Sequence, residues 1–167
     1  MRLIILVRHT ESEKKDTDSK LTEKGKKQAE EIVKFIDKYK FEVVFTSLYL
    51  RSQETAKLIN TKNIPTFSTN AFNEYYVRID GINVESISQA QERAMTKLYS
   101  IFGQYENIVI VAHSSISQTI LQSLLNLNFD DARKYFNSFG EVQVLRYDHK
   151  QGDTNWKIIH SFTSTIT

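Results

Sequence analysis

The chain has 167 residues, a formal charge of +2, four histidines and no cysteine, with 40% hydrophobic and 25% charged residues. That length suits a single domain over 1–167 with its own core, and the missing thiols exclude disulfides, thiolate nucleophiles and cysteine–zinc sites. The small charge, with lysines interleaved among acids, gives no nucleic-acid stripe, and no run reaches the ~20 apolar residues of a membrane span or a signal-peptide core. The expectation is a cytoplasmic protein with no membrane or nucleic-acid partner.

In chain order, Leu3 to Val7 is a short apolar run that reads as a buried strand, with Arg8 and His9 at its carboxyl end. Thr22 is placed to cap a helix whose Ala29, Ile32, Val33 and Ile36 share one face. "FEVVFTS" returns to strand pattern, "RSQETAKLIN" to helix with Arg51 at its start, and "IPTFST" to a short strand. From about Glu85, a helical stripe of Ile87, Ala90, Ala94, Leu98 and Ile101 runs to a stop at Gly103. "NIVIVAH" is the clearest buried strand, and it ends on His113. "SISQTILQSLLNL" and "FDDARKYFN" read as helical, and "EVQVLRYD" and "WKIIHSF" alternate as two strands. There is no repeat, low-complexity tract or linker. Alternating strands and helices predict a three-layer α/β/α sandwich around a mostly parallel, mixed sheet of about six strands.

Ligands of open α/β sheets bind outside the carboxyl ends of the strands. Two strands bring His9 and His113 to such an edge, together with Arg8 and Arg51, and that set suits a phosphoryl group. Arginine presents a planar fork that matches phosphate oxygens and does not deprotonate. Ser114, Ser115 and the amides opening the following helix are candidate oxyanion donors. Singly, a strand-end histidine is more often a satisfied structural residue, and an arginine on a first helical turn a solvated one. The combination carries the reading. His149 and His160, without a matching arginine, read as structural or surface residues, and the stretch Lys14 to Lys27, with its interspersed acids, as a solvated face that steers anions mildly.

These residues resemble the histidine phosphatase superfamily, the phosphoglycerate-mutase-like fold. "LVRHTES" is similar to the family's Arg-His-Gly signature, and Leu21, Thr22, Gly25, Gln28 and Ala29 to its Leu-Thr-x-x-Gly-x-x-Gln-Ala segment. "TSLYLRSQETA" resembles its Ser-Pro-Leu-x-Arg-Ala-x-x-Thr-Ala. Glu74, "VESISQAQER" and "IVIVAHSS" follow in the family's order. Thr10, Leu48, Val84 and Ser114 stand where the family usually has Gly, Pro, Gly and Gly. None of these exchanges removes a catalytic group.

The resemblance implies His9 as the nucleophile, through a phosphohistidine that water hydrolyses, with Arg8, Arg51 and His113 on the non-bridging oxygens. A backbone carbonyl on the other ring nitrogen would set the tautomer of His9. Glu74 stands at the position of the family's general acid, and Glu11, just beyond His9, competes for that role. No metal or cofactor is expected. The implied activity is metal-independent hydrolysis of a phosphorylated small molecule or a phosphoprotein, phosphohistidine included, by a monomer or homodimer. Phosphoglycerate mutase and a noncatalytic phosphate-binding protein are the alternatives. The short connection from Asn73 to Glu85 predicts an open pocket, where larger family members carry a covering segment, and so favours hydrolysis over retention.

Overall fold

The run Leu3–Val7 lies within strand β1 (Arg2–Arg8), whose Ile4 to Val7 are fully buried because the strand is flanked by neighbours and covered on both faces. The protein is described by a computed structural model over residues 2–14, 19–75, 78–79, 82–148 and 156–166. After β1 come α1 (Glu23–Ile36), β2 (Val43–Thr46), α2 (Leu50–Ile59), β3 (Thr66–Ser68) and a 3₁₀ turn over Asn70–Phe72. A small antiparallel pair, β4 (Arg78–Ile79) and β5 (Ile82–Asn83), precedes α3 (Ile87–Phe102). Then follow β6 (Asn107–Ala112), α4 (Ser114–Leu125), α5 (Phe129–Ala132), β7 (Val142–Tyr147) and β8 (Trp156–Phe162).

The main sheet has six strands in the order β3-β2-β6-β1-β7-β8. The first four are mutually parallel, whereas β7 runs antiparallel to both β1 and β8. Side chains alternate between its faces. Ile4, Leu6, Ile108 and Ile110 pack with Ala94 and Leu98 of α3 and Ile116 and Ile120 of α4. Ile5, Val7, Val109 and Val111 pack with Ala29 and Ile32 of α1 and Ala56 and Ile59 of α2. The expected three-layer α/β/α sandwich with a mostly parallel sheet is the observed architecture. Among the described residues no helix is long and apolar enough to cross a membrane.

Helix ends follow local chemistry. The Thr22 side chain accepts the Gly25 N–H, and Ser86 forms a reciprocal capping box with Gln89. "FDDARKYFN" departs from expectation, since only Phe129–Ala132 is helical. Its backbone is diverted when the Phe136 N–H bonds the Glu141 carboxylate at 2.6 Å, with Phe136 held at φ 59°.

Gly25 meets a tighter constraint than helix propensity. A Cβ there would lie 2.1 Å from the Glu11 carbonyl oxygen, so α1 approaches the loop after His9 more closely than any side chain allows. Gly25→Ala is expected to destabilise the protein by about 2 kcal/mol or more, as steric overpacking does, and to displace Glu11. Thermal or urea unfolding checks this, and an unchanged midpoint would refute the close approach.

Candidate active site

Adjacent parallel strands end at one rim, and their backbones are tied together there. The His9 N–H donates to Ala112 O at 2.9 Å, Arg8 N–H to Glu141 O at 2.9 Å, Ser47 N–H to Val111 O at 3.3 Å and Gly140 N–H to His9 O at 3.2 Å. The chemistry-bearing residues just past β1, β2 and β6 are thereby fixed by main-chain bonds. Arg8, His9, Arg51, Glu74, His113 and Ser114 all line one cleft of about 460 Å³. The structure brings together every residue expected there except Glu11.

The two ring nitrogens of His9 have different partners. Nδ1 lies 2.8 Å from the Thr10 carbonyl oxygen, which can only accept, so Nδ1 carries the proton. Nε2 is then a lone pair, and it accepts the Arg51 Nε–H at 3.1 Å. Burial, first, and the charges of Arg51 and Arg8 push the His9 pKa down to about 3, against the opposing Thr10 bond. The imidazole is neutral throughout the physiological range.

His113 sits beside it, ring centroids 5.1 Å apart, and burial together with its basic neighbours holds its pKa well below the ordinary value. Its Nε2 faces the hydroxyls of Ser47 at 2.8 Å and Ser52 at 3.3 Å. Its Nδ1 and the Arg8 Nε are buried without a hydrogen-bond partner among the described residues. Arg8 is held by Nη1–H donation to Phe136 O at 2.8 Å and by stacking over the Phe139 ring at 4.5 Å. Arg51, only 3% exposed, is not the solvated first-turn residue its position alone suggests.

The acidic candidates separate. Glu74 is half-buried, and its carboxylate accepts the N–H groups of Ser115 and Ile116, both at 3.0 Å, and of Tyr75 at 3.2 Å. Burial nevertheless raises its pKa, outweighing those bonds and the charge of Arg8. Glu11 lies outside the cleft, paired with Lys24 at 2.8 Å and bonded to Thr22, and those contacts lower its pKa. One expectation is corrected: the Ser115 and Ile116 amides are not free oxyanion donors, because Glu74 already occupies them. Ser114 likewise donates its hydroxyl to Phe136 O at 2.7 Å, although it lines the cleft.

His160 is exposed and bonded to Tyr39, while His149 falls outside the described residues. Glu13 and Lys14, expected on a solvated face, line the cleft. Sequence reasoning did not single out Ser47, Ser52, Phe136, Phe139 or Glu141. Phe139 and Glu141 flank Gly140, whose φ of 68° marks a turn at the rim, and that glycine was the available signal. Among the described residues, no group of three or more histidine, aspartate or glutamate side chains is placed to hold a metal.

Neutral histidines at the rim have a cost in acid. Below pH 6.5 the unfolded chain binds protons that His9 refuses until about pH 3, so stability rises with pH between those values. His9 alone is expected to remove about 2 kcal/mol between pH 7 and pH 5, and His113 acts in the same direction. Urea unfolding at both pH values checks this, and the His9→Asn variant should lose less stability over the same interval.

Comparison with known proteins agrees with this geometry. No curated protein sequence matches the chain. Among solved structures, Bacillus stearothermophilus YhfR superposes with a TM-score of 0.78 at 19% identity, over 94% of this chain and 95% of that one. Phosphoserine phosphatase from Entamoeba histolytica, in complex with 3-phosphoglyceric acid, gives 0.77 at 18% identity over 99% and 98%. The alpha-ribazole phosphatase from Shigella flexneri gives 0.75 at 18% identity over 93% and 94%. These likenesses show a shared fold. The model of the histidine phosphatase superfamily (branch 1) matches residues 4–82 and 67–158, which take in the whole cleft rim, and the chain therefore belongs to that superfamily and is an enzyme of the phosphatase type.

Proposed function

We propose that the chain, as one domain over 1–167, is a metal-independent phosphatase that hydrolyses phosphomonoesters or phosphoproteins, phosphohistidine among them, through a phosphohistidine on His9. The observation that carries this reading is the state of the His9 ring: Nδ1–H held on Thr10 O, and a neutral Nε2 beside the Arg51 guanidinium. That is an imidazole prepared for attack on phosphorus. A phosphoryl group entering the cleft takes over donors of Arg51 and frees the Nε2 lone pair. Arg8 Nε and His113 Nδ1 supply further donors as charge spreads over the non-bridging oxygens.

Attack by Nε2 forms the N–P bond while the bond from phosphorus to the leaving group breaks, P–O in a phosphomonoester and P–N in a phosphohistidine, and the departing oxygen or nitrogen takes the proton of Glu74. Water then attacks the phosphohistidine, gives its proton to the Glu74 carboxylate, and returns His9 neutral. The raised pKa of Glu74 suits both halves of this cycle. The 3.0 Å bonds from α4 hold its carboxylate beside His113 and Ser114.

The test compares specificity constants for p-nitrophenyl phosphate, 3-phosphoglycerate and a phosphohistidine-bearing protein, with EDTA throughout. Hydrolysis of the first and third without mutase turnover is the expected outcome. Mutase turnover exceeding hydrolysis would favour a phosphoglycerate mutase, and phosphate binding without turnover a noncatalytic protein on this fold.

A further inference from the structure

The stretch "VESISQAQER" contains a charged pair that the phosphoryl chemistry leaves unused. Arg93, on α3, donates Nε–H to Glu85 Oε1 at 2.6 Å and Nη2–H to Glu85 Oε2 at 2.9 Å. Its remaining donors reach three backbone carbonyls: Asn73 at 2.9 Å from Nη2, and Ala71 at 2.6 Å and Asn70 at 3.1 Å from Nη1. A guanidinium has five N–H groups, and here each has an acceptor. The three carbonyls belong to the turn immediately before Glu74, and the carboxylate belongs to the residue just before the α3 cap. Both ends of the connection from Asn73 to Glu85 are therefore fastened to one cation. The turn is also fixed from its other side, where the Asn73 side chain accepts the Leu48 N–H at 2.9 Å.

The ion pair is half-buried, with 24% and 22% of its two side chains exposed, and its bidentate geometry matters more here than its charge. The planar fork sets the direction of three carbonyls at once, which a lysine ammonium, a compact point charge, does not reproduce. We propose that Arg93, oriented by Glu85, is a positioning residue that clamps the turn before Glu74 and so holds the Glu74 carboxylate at the head of α4. Where Glu74 sits is independent of its chemistry. The kinetic consequence rests on the acid role given to it above.

The test uses the full chain with Arg93→Lys, which keeps the charge, and Glu85→Gln, which keeps the shape. Titration of the Glu74 carboxyl is followed by carbon NMR, with the signal assigned from its loss in Glu74→Gln. The other charged or titratable groups around it, Arg8, Tyr75 and His113, are unchanged in both variants. In Arg93→Lys the Glu74 midpoint should fall toward that of an ordinary glutamate as the carboxyl leaves its buried seat. The specificity constant for an alkyl phosphate should fall on the order of 10-fold, while that for p-nitrophenyl phosphate changes by less than about 2-fold, because it reports only transfer to His9 and the phenolate leaves without a proton. Glu85→Gln should move both readouts the same way by less. Titration and leaving-group dependence unchanged in both variants, with only thermal stability lost, would overturn the clamp. A shifted titration with equal loss on both substrates would uphold the clamp and instead remove the acid role of Glu74.

Discussion

Replacing His9 with alanine is expected to lower turnover by on the order of 10⁴-fold or more and to abolish the covalent adduct. Of the two neutral imidazoles that line the cleft, His9 is the one whose tautomer a backbone carbonyl fixes, so that its Nε2 beside Arg51 is a lone pair at pH 7. Rapid quench of the wild type with labelled substrate should trap phosphate in an acid-labile, alkali-stable form, and the variant should trap none. EDTA should leave the wild-type rate unchanged. Full activity in His9→Ala, or activity lost on chelation, would sink the mechanism.

The second large effect is selective. Glu74→Gln removes the proton donor, and turnover of alkyl phosphates should fall by roughly 10²- to 10⁴-fold, the usual span for a general acid. The specificity constant for p-nitrophenyl phosphate, which reports transfer to His9 and not the later hydrolysis step in which Glu74 is the base, should fall far less. The acid must be protonated to work, so the alkyl-phosphate rate should decline as pH rises through the raised Glu74 pKa, a limb that p-nitrophenyl phosphate should lack. The substitution also turns an amide NH₂ toward a backbone N–H of α4, where Glu74 now accepts from Ser115 and Ile116. A stability loss of about 1–3 kcal/mol should accompany the kinetic effect. Glu11→Gln should spare both substrates, since Glu11 faces Lys24 and Thr22 outside the cleft. Selective loss in that variant would transfer the assignment.

Strand-end chemistry was legible in the sequence because an apolar run buried on both faces leaves few places for a polar residue except its tip. Arg8, His9 and His113 were read on that ground, and the structure brings them to one rim. Thr22 and the stripe of Ala29, Ile32 and Ile36 were readable as local chemistry, and they cap and bury α1. Contacts between distant segments were not readable. Nothing near Ser115 announces that its N–H is taken by a carboxylate 41 residues away. The turn that follows α5 is held by Glu141, five residues beyond Phe136, reaching back to a backbone N–H. The pair β4–β5 did carry a local signal, Asp80-Gly81 between isoleucines, which is a common hairpin dipeptide. Strands of two residues each are too short for an alternation pattern to stand out around it.

The pairing of β1 bears on how a preparation of this protein should be judged. Arg8 stands opposite Ala112 on one side, and its N–H reaches Glu141 O on the other. A slip of one residue in that strand would send Ile5 and Val7 to the layer of α3 and α4 and turn Arg8 to the opposite face. Such a chain would keep nearly all its hydrogen-bonded secondary structure and the same apolar composition on the strand, so far-ultraviolet circular dichroism would count it as native. Phosphate release would not. Specific activity after refolding is therefore sensitive to the alignment of the central strand, to which bulk spectroscopy is nearly blind.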